Sequence, residues 1–355
     1  MNDGRDIDPE IGALLGEGSS QQSYGAPDKH MQAIAPAWRT PPAEDPGDAT
    51  YYERPLLQEP VWEWVIPAYY FVGGLTGASL VLSAAAQLGD SSGRARLIRR
   101  CHWIGFAGCG VSGGLLIWDL GMPWRFFNML RVFRPTSPMN MGAWILSGAG
   151  GSGFFALLLY GRRGFLGGIG EACGYFAGIF GACLATYTGV LVSNTAIPVW
   201  QESRRVMPIL FGASAMATAG SVFSLLAQTS AESRLTNIFG RMGQMVELVA
   251  AIEMERQASE VPRVGRPFKE GISGFLWRTA AVLSAGSLVL SLLPGKSKKR
   301  RIAAGLLAAA GSGLMRMSIE KLGTASARDA RASFHLQRAG KDVIEGKRVT
   351  LKHGE

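Results

Sequence analysis

The residue types that could do chemistry are concentrated where one long apolar segment ends, near residue 119. From residue 118 the sequence reads Trp-Asp-Leu-Gly-Met-Pro-Trp-Arg, and Asn128 follows shortly after. An Asp followed by Gly and Pro favours a rigid turn, so Asp119 and Arg125 are predicted to lie close together at a helix end. On the residues alone, a structural ion pair in an interfacial loop is the first interpretation and a proton-donating site is the second.

A second set of ionisable residues interrupts apolar segments farther along the chain. Glu247 falls in the middle of residues 235–252, six positions after Arg241, and Arg278 interrupts residues 271–294. Six positions turn an ideal helix through about 600°, or about 240° around its axis, so Arg241 and Glu247 do not share a face. At membrane depth Glu247 needs a partner, most simply Arg241 or Arg278. A buried structural ion pair is favoured, and a proton path is the alternative.

These residues lie among segments that are long enough to cross a lipid bilayer. A hydrocarbon core about 30 Å thick requires roughly 20 apolar residues in a helix. Five uncharged segments qualify: residues 65–88, 101–118, 139–160, 172–200 and 206–231. Three more segments (235–252, 271–294 and 302–317) bring the total to about eight. Buried helices of soluble proteins rarely run so far without a polar face, so the sequence predicts an all-α integral membrane protein.

Polar segments flank this apolar centre and divide the chain into three parts. Residues 1–60 form a polar N-terminal arm that is predicted to contact a partner subunit, residues 61–320 a transmembrane domain, and residues 321–355 a basic tail. The net charge of +9 resides in loops beside the spans, which indicates membrane lipid and not nucleic acid as its partner. Basic clusters at 94–100, 162–163 and 296–301 favour a cytoplasmic side there. The termini and the Asp119 loop are then predicted on the outer, periplasmic face.

The cysteines and histidines do not form a pattern typical of a metal centre. The four cysteines form no Cys-x-x-Cys pair, and His102 is the one histidine close to a predicted span. An iron–sulfur cluster requires clustered thiolates, and a membrane haem requires two facing axial ligands. We therefore predict that this chain holds no haem, iron–sulfur cluster or other metal, and that His102 is a structural hydrogen-bonding residue.

Several motifs resemble the NrfD-type family, the membrane subunits of polysulfide reductase. The first is Trp-Glu-Trp-Val-Ile-Pro-Ala-Tyr-Tyr-Phe-Val-Gly-Gly-Leu-Thr-Gly at 62–77. The most distinctive is Asp-Leu-Gly-Met-Pro at 119–123, followed by Arg-Phe at 125–126, Ser-Pro-Met at 137–139 and Gly-Ala-Trp at 142–144. Tyr-Thr-Gly-Val-Leu at 187–191 and Pro-Ile-Leu-Phe-Gly-Ala-Ser-Ala at 208–215 resemble its fourth and fifth spans. The likeness covers roughly residues 60–320, but the family usually has Arg where Met122 stands.

This resemblance implies a fold and a function. The fold would be two four-helix bundles side by side in the bacterial inner membrane. A quinone or menaquinone would bind near the surface where an iron–sulfur, ferredoxin-like subunit docks, and that subunit would serve a catalytic subunit that is often molybdenum-dependent. Electrons would pass between the cluster and the quinone pool, with proton uptake or translocation as a further expectation. The chain would then be a membrane subunit of an oxidoreductase without a catalytic cofactor of its own.

A quinone site requires hydrogen-bond donors for the carbonyl oxygens, a proton route and apolar walls. The candidates on the terminus side are Trp64, Tyr69, Tyr70, Asp119, Arg125 and Asn128. Among these, Asp119 is interpreted as an anchor or proton donor whose charge Arg125 holds, and Tyr69 as a hydrogen-bond donor to a carbonyl.

Two alternative functions remain open from the sequence. A secondary transporter also places polar groups at mid-membrane, often in broken helices, and Pro198 and Pro208 give that interpretation some support. A purely structural anchor would hold soluble subunits at the membrane without a quinone site.

Overall fold

A computed structural model describes residues 57–60, 62, 64–89, 91–226, 228–293 and 297–333, except for the side chains of Arg125 and Arg331. Nearly all of the predicted N-terminal arm and the end of the predicted C-terminal tail lie outside the described residues.

Helices dominate the described residues, which contain no strand. Eight helices are long: α1 (Val65–Gln87), α2 (Ala95–Asp119), α4 (Pro138–Leu159), α5 (Phe165–Ser193), α7 (Met207–Leu225), α8 (Ser230–Ser259), α10 (Gly271–Leu292) and α11 (Lys298–Arg328). Four are short: α3 (Arg125–Arg131), α6 (Pro198–Glu202), α9 (Pro262–Lys269) and α12 (Ala330–Ser333). The prediction of an all-α chain is therefore confirmed for this part of the protein.

Seven of the eight long helices are long and apolar enough to cross a membrane. The exception is α8, which carries charged residues along much of its length, so the predicted count of eight spans stays a prediction. Its start is set by a capping box, in which Thr229 and Glu232 each satisfy the other's backbone amide. Helix α11 is much longer than the predicted segment 302–317, and the predicted domain boundary at residue 320 falls inside it.

Close backbone contacts explain part of the high glycine content. Helices α1 and α5 meet at Gly77 and Gly181, where a Cβ on Gly181 would lie 2.6 Å from the Gly77 carbonyl oxygen. Small residues allow this approach, which drives helix association in lipid. Gly110 and Gly114 of α2 are also four residues apart, but among the described residues a Cβ at either position would meet nothing within 4 Å, so this pair makes no close helix contact there.

The ends of the long helices gather at two faces, which position the candidate residues. The hydroxyl of Tyr187, near the end of α5, donates to the Pro138 carbonyl at the start of α4 at 2.7 Å. This end of the bundle, where α1 begins and α2 ends, is called the Asp119 face. At the other end the Leu97 amide donates to Glu232 at 3.0 Å and joins the starts of α2 and α8. That end is called the Gln87 face.

Candidate functional site

Two buried tyrosines lie inside the bundle, within two helical turns of the Asp119 face. Tyr69 and Tyr70 are 2% and 1% exposed, and their ring centroids are 6.0 Å apart. The Tyr70 ring packs edge-on against Phe211 of α7 at 5.6 Å and against Trp62 at 6.2 Å. Trp62 in turn stacks on Trp200 at 5.4 Å. The result is an aromatic cluster in which the tyrosines carry the polar atoms.

The Tyr70 hydroxyl oxygen is fully buried and has no hydrogen-bond partner among the described residues. A buried hydroxyl that loses water without gaining a partner is destabilising by about 1–3 kcal/mol. Buried polar groups without a partner are rare in folded proteins, and functional sites are one of the places where they occur. The Tyr70 hydroxyl is therefore an O–H donor inside the aromatic cluster that the described residues leave unused.

The other predicted candidates at this face lie on its surface. Trp64, which precedes α1, is 68% exposed. Asp119 ends α2 and Asn128 lies within α3, and both are exposed. Asp119 is close enough to Tyr70 to act on it electrostatically. Arg125 begins α3, and its predicted ion pair with Asp119 stays a prediction. The structure therefore brings Tyr69, Tyr70 and Asp119 to one end of the bundle but separates them by depth.

Asn140 organises the loop that carries these surface residues, and sequence reasoning did not single it out. Its side-chain amide donates to the carbonyls of Met129 at 2.6 Å and Val132 at 2.9 Å. Its side-chain oxygen accepts from the Arg134 amide at 2.7 Å. One side chain at the start of α4 thus satisfies three backbone groups of the preceding loop. The sequence signal that could have indicated this role is an Asn two positions after the Pro that begins a helix.

The predicted partner of Glu247 is wrong. Arg241 donates to the Ser291 carbonyl and Arg278 to the Lys269 carbonyl, because each faces away from Glu247. The arginine that acts on Glu247 is Arg316 of α11, and both residues are fully buried. Sequence reasoning did not consider Arg316, although it lies at the end of the predicted segment 302–317. A lone Arg in a Gly-rich apolar stretch was the signal that could have found it.

Serine hydroxyls surround this buried pair. Arg316 Nη1 donates to Ser214 Oγ at 2.8 Å, and Nη2 donates to the Phe211 carbonyl at 3.3 Å. Ser312 Oγ donates to Glu247 Oε1 at 3.2 Å. The guanidinium carbon also lies 5.6 Å from the centre of the Phe211 ring. Because Phe211 contacts both Tyr70 and Arg316, the aromatic cluster and the buried charges adjoin each other.

Space for Arg316 is created on α1. A Cβ at Gly74 would lie 2.5 Å from Arg316 Nη2 and 3.2 Å from its guanidinium carbon. Gly74 is therefore needed for the close approach of a side chain, whereas Gly77 is needed for the approach of a backbone.

His102 lies at the opposite half of the molecule and is buried. Its Nε2 atom is 2.8 Å from Ser83 Oγ and 3.3 Å from the Gln87 side-chain nitrogen, both on α1. Its ring also packs edge-on against Tyr160 at 5.5 Å. These contacts join α1 to α2 near the Gln87 face, as expected of a structural hydrogen-bonding residue. The α1 residues that His102 contacts are far along that helix from Tyr70.

Comparison with known proteins adds one finding. A family model described as polysulphide reductase, NrfD matches residues 55–254, more than half of the chain. The matched region contains the aromatic cluster, the Asp119 loop and Glu247, and it ends before α10 and α11. No curated protein matches the chain.

Proposed function

Since the chain belongs to the NrfD family of polysulphide reductase, we propose that it is the membrane anchor and quinone-reactive subunit of a multi-subunit oxidoreductase. It would pass electrons between an iron–sulfur partner subunit and the membrane quinone pool. The observation that carries this proposal is the buried Tyr70 hydroxyl, which has no partner in the described chain and lies among aromatic rings.

These residues fit a quinone or menaquinone. A bound quinone would supply two-electron, two-proton chemistry. Tyr70 would donate a hydrogen bond to a carbonyl oxygen, and Tyr69 beside it is the second candidate donor. Trp62 and Phe211 exclude water from this region, which strengthens a hydrogen bond formed there. Asp119 stands at the nearest surface and would take a proton from water and deliver it toward the site.

The partner subunit would dock at the Asp119 face. The end of α2 and the segment between α2 and α4 expose four large aromatic side chains, each more than half accessible: Trp118, Trp124, Phe127 and Phe133. Exposed aromatic residues of this kind are enriched at protein interfaces and also at membrane interfaces. An iron–sulfur subunit bound here would bring its cluster close to the tyrosines. A molybdenum-containing catalytic subunit would then exchange electrons with the quinone through that cluster.

We further propose the bacterial inner membrane as the location, with α8 as an eighth span and with the two halves of the chain as two four-helix bundles. The charged residues of α8 do not prevent it from crossing the membrane. Glu247 faces the interior of the bundle, where the positive charge of Arg316 balances the negative charge of Glu247. The distribution of basic residues supports a periplasmic Asp119 face. In this arrangement Glu247 and Arg316 are a buried structural pair of opposite charges linked through serines, and a proton path through them is the alternative.

Affinity purification in mild detergent tests this function. We expect the tagged chain to co-purify with an iron–sulfur protein and a catalytic subunit, with extractable quinone and with iron in the complex. Quinol-dependent reduction of the complex, followed in the visible spectrum of the clusters, should be fast. Isolation as a lone chain without quinone would overturn the proposal and favour a transporter. Assembly with the partners but no quinol-dependent reduction would favour a purely structural anchor.

A further inference from the structure

A large cavity opens at the Gln87 face, far from the aromatic cluster. Its volume is about 660 Å³ and its walls come from α7, α8, α10 and α11. Most of its lining residues are polar, and Leu290 and Leu293 add apolar surface near the mouth. A polar cavity of this size inside a membrane protein is a candidate binding site and not a packing defect.

The charge of this cavity has one sign. Five basic residues line it, and no Asp or Glu is found among the described residues of its lining. The basic residues are Arg234, Arg241, Lys298, Arg300 and Arg301. The acidic residue nearest in sequence on α8, Glu232, is buried outside the lining and accepts hydrogen bonds from the backbone amides of Leu97 and Thr229. Its single negative charge leaves the five basic residues in excess. The cavity is therefore electropositive.

The N-terminus of α11 reinforces this potential. Ser297 caps α11 and lines the mouth. An N-terminus carries roughly half a positive elementary charge from the aligned peptide dipoles. The N-terminus of α8 also opens here, but the Glu232 carboxylate of its capping box already offsets that dipole.

Arg241 is the deepest of the five basic residues. It lies 11 residues into α8, about 16 Å from the helix start, and is half-buried. One guanidinium nitrogen donates to the Ser291 carbonyl, whereas Nε is buried without a partner in the described chain. No carboxylate of the described residues forms an ion pair with Arg241. A charge at this depth is unfavourable unless an opposite charge or water accompanies it.

Four of the serine hydroxyls that line the cavity, those nearest to Arg241 on α7 and α10, already donate to protein groups. The hydroxyls of Ser221, Ser224 and Ser291 each donate to a carbonyl of their own helix. The Ser287 hydroxyl donates to the Ala304 carbonyl and accepts from Gln244. A ligand that fits must therefore accept hydrogen bonds from guanidinium groups and carry negative charge.

We propose that this cavity binds a phosphate-type anion, with Arg241 as its inner partner and the basic residues of the mouth as its outer partners. The planar guanidinium fork matches the oxygens of a phosphate group. Two sources have this chemistry: the headgroup of an anionic phospholipid, whose acyl chains would leave past Leu290 and Leu293, and free inorganic phosphate. The site is independent of the proposed quinone chemistry at the other face.

Thermal unfolding of the purified complex in neutral detergent tests this proposal. The probes are dioleoyl phosphatidylglycerol, inorganic phosphate, and dioleoyl phosphatidylcholine with matched sodium chloride as controls. The first or second probe should raise the melting temperature of the wild-type protein. Arg241→Gln should require about ten- to a hundredfold more of that probe, since a charged hydrogen bond contributes about that factor to affinity. Arg241→Lys should fall between the two.

The matched control is Arg162→Gln, which removes an exposed arginine at the same face outside the cavity lining and should respond as wild type. A response to phosphatidylglycerol alone identifies a lipid headgroup, and a response to phosphate identifies a free anion. No response to either probe, or an equal response in Arg241→Gln, would overturn the proposal. If Arg241→Gln does not fold, the double variant Lys298→Gln with Arg301→Gln replaces it, because both residues are exposed at the mouth. It should then require more of the probe than wild type, and an equal response would overturn the proposal.

Discussion

Glu247 and Arg316 are linked through two serines: Ser214 Oγ accepts from Arg316 Nη1 at 2.8 Å, and Ser312 Oγ lies 3.2 Å from Glu247 Oε1 and 3.4 Å from the Ser214 carbonyl oxygen. All four residues are buried, and they belong to three helices, α7, α8 and α11. The charges of the pair are thus held in place by serines and not by direct contact. One oxygen of Glu247 and the Nε atom of Arg316 still lack partners within the described chain.

This arrangement predicts an asymmetric mutational response. Glu247→Ala leaves Arg316 buried without a counter-charge, and we expect a loss of about 3–5 kcal/mol in the free energy of unfolding. Replacing both residues with apolar ones, in Glu247→Leu with Arg316→Met, should recover much of that loss. Thermal or denaturant unfolding of the purified complex measures both. If the double variant is less stable than Glu247→Ala, the two charges do not compensate each other.

Tyr70→Phe separates a functional role of the hydroxyl from a structural one. Because the hydroxyl has no partner in the described chain, its removal should leave the unfolding temperature unchanged or slightly higher. Quinol-linked electron transfer should fall by about tenfold or more, as expected for the loss of one buried hydrogen bond to a reacting group. Cluster reduction by quinol in the assembled complex measures the rate.

The control for Tyr70→Phe is Tyr175→Phe on α5, where the side chain is 37% exposed and lies toward the Gln87 face. This variant should match wild type in both assays. A Tyr70→Phe protein that is less stable but equally active would show that the hydroxyl supports packing and does not contact quinone.

The sequence predicted the helices well because their cause is local. An uncharged run of about 20 residues has one favourable structure in lipid, so α1, α2, α4, α5 and α7 follow directly from composition. The partner of Glu247 could not be predicted in the same way. Which arginine reaches it depends on the rotation of α8 and α11 about their axes, and that rotation is set by tertiary contacts such as those of Gly74.

The candidate site was predicted only in part for a related reason. Motif spacing placed Tyr69, Tyr70 and Asp119 at one end of the bundle, because helix ends are set by the chain. The depth of each side chain within the bundle could not be predicted from the sequence. Tyr70 is buried, whereas Trp64, six positions earlier, is 68% exposed. Asn140 was missed because its partners are backbone groups of Met129, Val132 and Arg134, which carry no side-chain signal.

Asn140→Ala should loosen the loop that links α2 to α4. The change leaves two carbonyls and one amide without their partner, so we expect the loop to open and the Arg131–Val132 bond to become sensitive to trypsin. Limited proteolysis of the purified protein, read by mass spectrometry, measures the cleavage rate. Asn128→Ala, at an exposed position in the same loop, is the control. Equal cleavage in both variants would mean that Asn140 does not hold the loop.

Gly181 and Gly113 should respond in opposite directions to the same substitution. A Cβ at Gly181 would approach the Gly77 carbonyl oxygen at 2.6 Å, whereas a Cβ at Gly113 would meet nothing within 4 Å. Gly181→Ala must therefore push α1 and α5 apart, and we expect a loss of about 1–3 kcal/mol, typical of overpacking. Gly113→Ala should be neutral or stabilising by up to about 1 kcal/mol, because alanine is the better helix former.

Thermal unfolding in the same detergent compares the two variants with wild type. Because both changes add one methyl group to a glycine in a membrane helix, their difference isolates the close helix contact from any general effect of helix propensity. Equal stability of the two proteins would mean that α1 and α5 do not approach each other at Gly77. A loss in Gly113→Ala would mean that another helix packs against this open side of α2 in the assembled complex.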